Sequence, residues 1–318
     1  MNFDDAHQAI QSDDDTKDFK IFNQRAKQGD AYAQVRLGII YDLGEDVVQD
    51  YKKALKWHRK AAEQGNVDAQ FFLGTKYDRG EGVVKDKKEA VKWYRKAAEQ
   101  GDADSQSFLG IKYDLGEGVQ QDDNLAFKWY SAAAEQGDAT AQYHLGFLYE
   151  DGQGIPQDDN LAFKWYSAAA DQRHEAAQYY LGRLYSNGKG VPQDDKLAVK
   201  WYLAAADQGF VSAQYKLGIM YETGEGAAQD YSLAFKWYSA AADQGTSAAQ
   251  YNLGDLYYNG RGVPVDNVQA YAWFSVADAN GYELGQKSRD EVSSKMTLSA
   301  IEKGQQMAKE IRTRLGTS

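Results

Sequence analysis

All seven tryptophans of this 318-residue chain stand 36 residues apart, from Trp57 to Trp273. Seven glutamines from Gln34 to Gln250 keep the same step, and all three prolines fall at one position of the period. A fixed period of this length is typical of a tandem array of helical repeats. The chain is therefore predicted to be an array of seven repeats over residues 30–281, and not the two globular domains that its length alone would suggest.

Each repeat predicts a pair of antiparallel helices, as the first one illustrates. Its first helix, over about residues 30–43, carries apolar residues at helical spacing and ends at Gly44, a position suited to the left-handed conformation. Asp50 is a good N-cap for the second helix, over about residues 51–64, because its carboxylate can accept hydrogen bonds from free backbone amides. The prediction is an all-α solenoid without strands.

The tryptophans are expected to join neighbouring repeats. Small residues such as Gly38 and Ala54 let the helix axes approach, and Trp57 is predicted to fill the space between the helices. A buried tryptophan removes roughly 150–250 Å² from water, which is worth about 4–6 kcal/mol per repeat as an upper bound. Stability should therefore arise from contacts between adjacent repeats.

The period sets the domain boundaries. Residues 1–29 are predicted to be an N-terminal helical cap, with one helix over 15–28, and residues 282–318 a C-terminal helical cap whose last helix starts at Thr297. The seven repeats between them are predicted at 30–65, 66–101, 102–137, 138–173, 174–209, 210–245 and 246–281.

Composition narrows the classes of protein and of partner. The formal net charge is −11, which argues against broad binding to nucleic acid or to anionic membranes. The lack of cysteine excludes disulfides and thiolate metal sites, and the lack of long apolar stretches predicts no membrane span. The N-terminal residues do not resemble a signal peptide, which predicts a cytoplasmic protein; a signal peptide already removed would instead indicate the periplasm or secretion.

Known catalytic and metal-binding motifs are not found. The segment from His174 to Gln178 resembles the start of a zinc motif, but its second ligand position holds the repeat's own glutamine. The four histidines include no pair at helical ligand spacing, and neither a phosphate-binding loop nor a serine elbow is present. The sequence therefore predicts no catalytic residue, no metal and no cofactor, with an enzyme as the outside alternative.

The repeat resembles a known family. The pattern Ala-x-Ala-Gln-x-x-Leu-Gly-x-x-Tyr-x-x-Gly-x-Gly-Val-x-x-Asp-x-x-x-Ala-x-x-Trp-Tyr-x-x-Ala-Ala-x-Gln-Gly, followed almost fully by residues 69–101, is similar to the Sel1-like repeat, a relative of the tetratricopeptide repeat. The resemblance implies a right-handed α/α superhelix whose concave side holds proteins or peptides. It implies a scaffold, adaptor or regulator of bacterial type, and some such relatives are immunity proteins, envelope factors or host-interaction proteins.

Several positions depart from this pattern, two of which concern backbone conformation. Arg173 replaces the closing glycine of its repeat, which should cost stability if that position requires a positive φ. Asp46 replaces a loop glycine in the first repeat.

A helical wheel separates a second face of each first helix from its core face. In tetratricopeptide-like stacks the matching positions line the concave side. Three rows result: an aromatic row (Val35, Phe71, Ser107, Tyr143, Tyr179, Tyr215, Tyr251), a middle row (Ile39, Thr75, Ile111, Phe147, Arg183, Ile219, Asp255) and an acidic row (Asp42, Asp78, Asp114, Glu150, Ser186, Glu222, Tyr258). We name the predicted binding residues the partner face: Phe71, Tyr143, Tyr179, Tyr215, Tyr251, Phe147, Arg183, Asp78, Asp114, Glu150 and Glu222.

The partner face predicts a protein or peptide partner with apolar and basic side chains, because aromatic rings give contact area and carboxylates attract Lys and Arg. The alternative is that the tyrosines stack between first helices and the carboxylates only aid solubility. The predicted function is a non-enzymatic interaction scaffold, plausible as a bacterial regulator or immunity protein. A periplasmic or secreted structural or host-interaction factor is the alternative.

Overall fold

The computed structural model describes residues 15–45 and 47–316. The part of the N-terminal cap before residue 15, and Asp46, lie outside these described residues. The described residues form 17 α-helices and no strand, so the prediction of an all-α solenoid is confirmed. The helices are α1 Asp15–Lys27, α2 Ala31–Leu43, α3 Tyr51–Glu63, α4 Val67–Arg79, α5 Lys87–Glu99, α6 Ala103–Leu115, α7 Asp123–Glu135, α8 Ala139–Asp151, α9 Asp159–Asp171, α10 Glu175–Asn187, α11 Asp195–Asp207, α12 Val211–Thr223, α13 Tyr231–Asp243, α14 Ser247–Asn259, α15 Asn267–Ala279, α16 Gly285–Ser293 and α17 Leu298–Leu315.

The chain divides into two compact units, residues 1–158 and 159–318. In the first unit, α2/α3, α4/α5 and α6/α7 are helix pairs, with α1 packed on α2 and α8 on α7. In the second unit, α10/α11, α12/α13 and α14/α15 are the pairs, α9 packs on α10, and α16 and α17 both pack on α15. Within each unit a second helix also packs on the first helix of the next pair, so the core is built between neighbours along the chain.

Helix ends follow from the recurring polar residues and glycines. The Asp50 carboxylate accepts a hydrogen bond from the Lys53 amide, and aspartates at the same position cap α5, α7, α11, α13 and α15. Gly44 ends α2 in the left-handed conformation with φ 75°, as predicted. Gly154 has φ +67°, and a Cβ there would lie 2.6 Å from Cβ of Asp123 in the preceding repeat. That loop position therefore needs glycine for both conformation and space.

Among the residues that the structure describes, Arg173 is the one non-glycine residue with a positive φ, at 66°. This confirms that the closing position of the repeat requires the left-handed conformation. The strain falls at the end of α9, where the other repeats have glycine.

The ring that faces the recurring helix glycine belongs to the residue after each tryptophan. A Cβ on Gly110 would lie 2.6 Å from the ring of Tyr130, which is fully buried. In the first repeat, His58 occupies the space opposite Gly38. The prediction that Trp57 fills this space is therefore wrong, because the side chain that points toward the glycine is that of the next residue, His58.

The tryptophans pack between repeats instead. Trp93 on α5 joins one cluster with Ala61 and Ala62 of α3 and Leu73 of α4. On its other side, Lys96 Nζ lies 3.9 Å from the centroid of the Trp93 ring. The tryptophans that are only partly buried are Trp57, Trp129, Trp165 and Trp201. The indoles thus link neighbouring repeats but bury less surface than assumed.

A chain of carboxamides explains the periodic glutamines. Gln70 Nε2 donates to the carbonyl of Ala62 in the preceding repeat at 3.3 Å, and its Oε1 accepts from Gln100 Nε2 at 2.8 Å. Six of these amide pairs are seen within the two units, the last formed by Asn280 and Gln250. Each buried glutamine therefore satisfies both of its polar ends and ties two successive repeats together.

The C-terminal end extends the stack. α16 is a shortened first helix of 9 residues, and both α16 and α17 pack along α15. The ring of Tyr271 faces Gly304 of α17, and Ala308 and Ile311 of α17 join the core cluster around Trp273. Thr297 caps α17 at the predicted residue, accepting a hydrogen bond from the Ala300 amide.

Candidate functional site

The partner-face residues all lie on first helices and fall into two sets. In the first unit the set is Phe71, Asp78, Asp114, Tyr143, Phe147 and Glu150; in the second unit it is Tyr179, Arg183, Tyr215, Glu222 and Tyr251. All eleven side chains are half-buried: none is fully exposed and none is sealed from solvent.

Several other members of the three rows are buried. Val35 belongs to a core cluster, and Thr75, Ser107 and Asp42 are also buried. The expectation that these rows stand outside the core is wrong for the first repeats. The helical wheel treats one helix alone, whereas the next repeat packs across part of this face.

The aromatic row is tied into the core by ring contacts. In the first unit, the Phe71 ring centroid lies 6.0 Å from that of Tyr94 and 5.7 Å from that of Phe108 in the next repeat. Tyr94 and Phe108 stack on each other at 5.4 Å. Each ring of this row therefore packs on one side and keeps the other side accessible.

The second unit extends the aromatic row to the C-terminal cap. The ring of Tyr179 lies 5.1 Å from that of Phe210, and the ring of Tyr251 lies 4.7 Å from that of Tyr282. Partial burial raises the pKa of Tyr179 and of Tyr215, so these phenols stay neutral. The part of the aromatic row in the second unit is the most continuous aromatic surface of the partner face.

Arg183 is the one cation of the partner face. Its guanidinium carbon lies 4.4 Å from the centroid of the Tyr180 ring. This cation–π contact places the guanidinium beside Tyr180, the residue that follows Tyr179 of the aromatic row.

In the first unit, lysines of the following repeat neutralise two carboxylates of the acidic row, Asp42 and Asp78. Lys112 Nζ on α6 donates to both carboxylate oxygens of Asp78 on α4 at 2.8 Å, and to Glu117 at 2.9 Å. Burial alone would lower the pKa of Lys112, but the hydrogen bonds to these two carboxylates outweigh it and raise the pKa above its ordinary value. The side chain of Asp78 is thus engaged by its own fold.

Asp42 is held in the same way, one repeat earlier. His58 Nε2 lies 3.0 Å from Asp42 Oδ2, and Lys76 Nζ forms an ion pair with Oδ1. Burial lowers the pKa of His58 more than Asp42 raises it, so the ring is neutral at neutral pH. Lys76 therefore supplies the charge that compensates the buried Asp42.

Two further carboxylates of the acidic row, Asp114 and Glu222, lie beside phenol hydroxyls. The Tyr130 hydroxyl lies 3.3 Å from Asp114, whose pKa is raised by burial. In the second unit the Tyr238 hydroxyl donates to Glu222 at 2.7 Å, and the Arg261 guanidinium lies 3.8 Å away. The lysine position of the first unit is occupied here by Leu184, Met220 and Leu256, so Glu222 has no buried ammonium beside it.

Sequence reasoning missed the role of Lys76 and Lys112. The available signal was that this position is basic in only two repeats and apolar in all the others. The described residues include no group of three or more histidines and acidic residues arranged to hold a metal ion. No helix in the same ranges is long and apolar enough to cross a membrane.

The comparisons with known proteins agree with this architecture. The Sel1 repeat model matches seven consecutive segments, at residues 31–66, 67–102, 103–138, 139–174, 175–210, 211–246 and 247–281. The chain belongs to the Sel1 repeat family. Sel1 repeat proteins are generally protein-interaction scaffolds.

Two solved Sel1-type structures are particularly similar to the chain. A protective antigen of uropathogenic Escherichia coli strains is 34% identical with a TM-score of 0.62, over 93% of this chain and 72% of that one. A Sel1 repeat protein from Oxalobacter formigenes is 32% identical with a TM-score of 0.68, over 77% of this chain and 96% of that one. The comparison with curated proteins gives no match.

Proposed function

We propose that this Sel1 repeat protein is a non-enzymatic scaffold that binds a protein or peptide partner across the partner face. The observation that carries the proposal is the half-exposed aromatic row of the second unit, which lies beside Glu222. The buried lysine that pairs with a carboxylate in the first unit is replaced by an apolar residue in the second. Half-buried rings offer contact area at low conformational cost, and a carboxylate beside them favours Lys or Arg.

The partner we propose is an extended or helical segment with apolar and basic side chains. Its apolar groups would contact Tyr215 and Tyr251, and its basic groups would meet Glu222. Arg183 would bind a backbone carbonyl or a carboxylate of the segment. A regulator and an immunity protein are two forms of this proposal that differ only in the identity of the partner.

The test is selection of peptides from a random displayed library by the full chain. We expect selected peptides to be enriched in Lys or Arg next to apolar residues. Removing one charge without changing shape, by Glu222→Gln, should weaken the selected peptides about three- to tenfold.

The matched control removes one exposed carboxylate elsewhere in the second unit, by Asp207→Asn. This control should bind the peptides as the unmodified chain does. Equal loss in both variants, or a selection without basic residues, would contradict the proposed partner chemistry.

A second candidate is a periplasmic or secreted structural or host-interaction factor. The similarity to the protective antigen of uropathogenic Escherichia coli favours it. Fractionation of cells that produce the chain from its natural gene tests this candidate: recovery outside the cytoplasm supports it, and recovery in the cytoplasm alone supports an internal scaffold.

A further inference from the structure

The second helices of the first two repeats are unusually basic. Residues 47–60 contain five basic and one acidic residue, and residues 83–96 contain six basic and two acidic residues. The same stretch in the third and fourth repeats, 119–132 and 155–168, contains one basic and two acidic residues in each case. The positive charge is therefore a property of two repeats in a chain whose net charge is −11.

These charges form one exposed surface, which we name the basic face: Lys52, Lys56, Lys60, Lys88, Lys92 and Lys96. All six side chains are exposed, and they recur every four residues along α3 and α5, which places each set on one side of its helix. Within residues 15–45 and 47–316, Lys52, Lys56 and Lys88 form no ion pair. Lys92 is paired with Glu89 at 2.7 Å.

Two valines project from the loops that lead into these helices. Val48 is 89% exposed and Val84 is 85% exposed. Each stands two residues before the aspartate that caps the helix, with lysines close behind it. The third and fourth repeats have Gln120 and Pro156 at this position. Exposed valines and lysines thus occur together in the same two repeats.

We propose that the basic face, together with Val48 and Val84, binds the surface of an anionic phospholipid membrane. Lysines near such a surface are attracted to its headgroups, and apolar side chains at loop tips can enter the headgroup–acyl boundary. The charge of the whole chain does not oppose this contact, because at physiological salt the field of distant carboxylates is screened within about 8 Å.

A membrane accounts for these residues better than an acidic peptide or a nucleic acid does. Either of those partners would neutralise the lysines but leave the two valines in water. A fluid bilayer also needs no fixed register, so long flexible ammonium groups can each find a headgroup.

The test is sedimentation of the full chain with vesicles of phosphatidylcholine containing about 30% phosphatidylglycerol. We expect binding that falls as salt is raised, and little binding to phosphatidylcholine alone. Reversing four charges by Lys52→Glu, Lys56→Glu, Lys88→Glu and Lys92→Glu should reduce binding at least about tenfold. The change Val48→Gln with Val84→Gln should reduce it about three- to tenfold.

Matched controls are available in the later repeats. Lys128→Glu, Lys164→Glu, Lys200→Glu and Lys236→Glu make the same charge change at exposed lysines outside the first two repeats, and Val265→Gln changes another exposed loop valine. These variants should lose less than twofold. Thermal melting curves like that of the unmodified chain establish that each variant is folded.

The proposal is overturned if the four reversals in the first two repeats leave vesicle binding unchanged, or if the later-repeat variant loses as much. It is also overturned if the chain binds phosphatidylcholine equally well. Binding to polyglutamate or DNA, but not to anionic vesicles, would assign the basic face to another class of partner.

Discussion

The two units share one repeat but use the charges of their first helices differently. In the first unit, Asp42 and Asp78 are neutralised by Lys76 and Lys112 of the following repeats. In the second unit the lysine position is apolar, and Glu222 meets only the Tyr238 hydroxyl and the Arg261 guanidinium. The fold depends on the glycines, rings and glutamines that both units keep, so the charges of the first helices can differ between the units while the repeat stays the same.

The largest expected effect concerns the buried ring opposite the helix glycine, a contact that both units share. Tyr130→Ala should cost about 3–5 kcal/mol of unfolding free energy, because a fully buried ring is lost opposite Gly110. Trp129→Ala should cost less, about 2 kcal/mol, because that indole is partly exposed. Chemical denaturation measures both losses, and a larger loss for Trp129→Ala would restore the tryptophans as the main contact.

The second prediction tests the ion pairs of the first unit. Lys112→Met should cost about 2–3 kcal/mol, because Asp78 and Glu117 then lose their shared ammonium in a largely buried position. Lys128→Met, at an exposed lysine on the next helix, should change the unfolding free energy by less than about 0.5 kcal/mol. Equal losses in the two variants would show that the pairing stabilises nothing.

The third prediction moves the ion pair into the second unit. Ser186, Met220 and Glu225 occupy the positions of Asp78, Lys112 and Glu117. Met220→Lys alone should cost about 2 kcal/mol, since it buries an ammonium with one nearby carboxylate. Adding Ser186→Asp should recover about half of that loss, and a double-mutant cycle in urea measures the coupling. If the coupling is zero, the two units differ by more than these residues.

The fourth prediction follows from the pH dependence of the same ion pair. The hydrogen bonds from Lys112 and then Lys87 lower the pKa of Glu117 to about 2, from an ordinary 4.5. A lowered pKa means stabilisation that is present above pH 4.5 and lost as pH falls toward 2. The stability difference between the unmodified chain and Lys112→Met should therefore be constant near neutral pH and shrink over this interval. Denaturation at a series of pH values measures it; a difference that does not narrow would contradict the assignment.

The smallest expected effect is a gain in the second unit. Arg173→Gly should stabilise the chain by about 1 kcal/mol, because glycine adopts the positive φ of this position without strain. The reverse change at the equivalent position, Gly209→Arg, should destabilise by a similar amount, because Gly209 has a φ of +92°. No atom blocks a side chain there, so backbone strain is the whole of the expected cost. Thermal melts compare the two, and a loss for Arg173→Gly would show that the arginine makes a compensating contact.

The sequence predicts what depends on neighbours within one helix. The helix ends at Gly44 and Asp50, the helical period and the strained Arg173 are all local features, and the structure has them as predicted. Contacts with another repeat were harder to foresee. The position of the Trp57 ring depends on how two helices are rotated against each other, and the partner of Asp78 lies 34 residues away. The periodic glutamines were recognised, but their bonds over 30 residues were not.

The partner face was found as a set of half-buried side chains, which a helical wheel can indicate. Which of its carboxylates are already paired could not be read from the wheel, because Lys112 reaches Asp78 from the following repeat. Asp78 and Glu222 look equivalent in the sequence pattern and differ in the structure. Their role in recognition remains the prediction that the peptide selection tests.

The carboxamide chain has a consequence for how such a protein can change its length. Every internal repeat donates one glutamine hydrogen bond to a carbonyl of the preceding repeat, as Gln70 does to Ala62, and offers an equivalent carbonyl to the following repeat, as Ala98 does to Gln106. A further complete copy could therefore be spliced in without leaving a buried amide unpaired. An insertion of any other size would break that match. Gene duplication in whole multiples of 36 codons is therefore the route by which this architecture can grow or shrink, and the nearly identical stretches at residues 121–134 and 157–170 fit such an event.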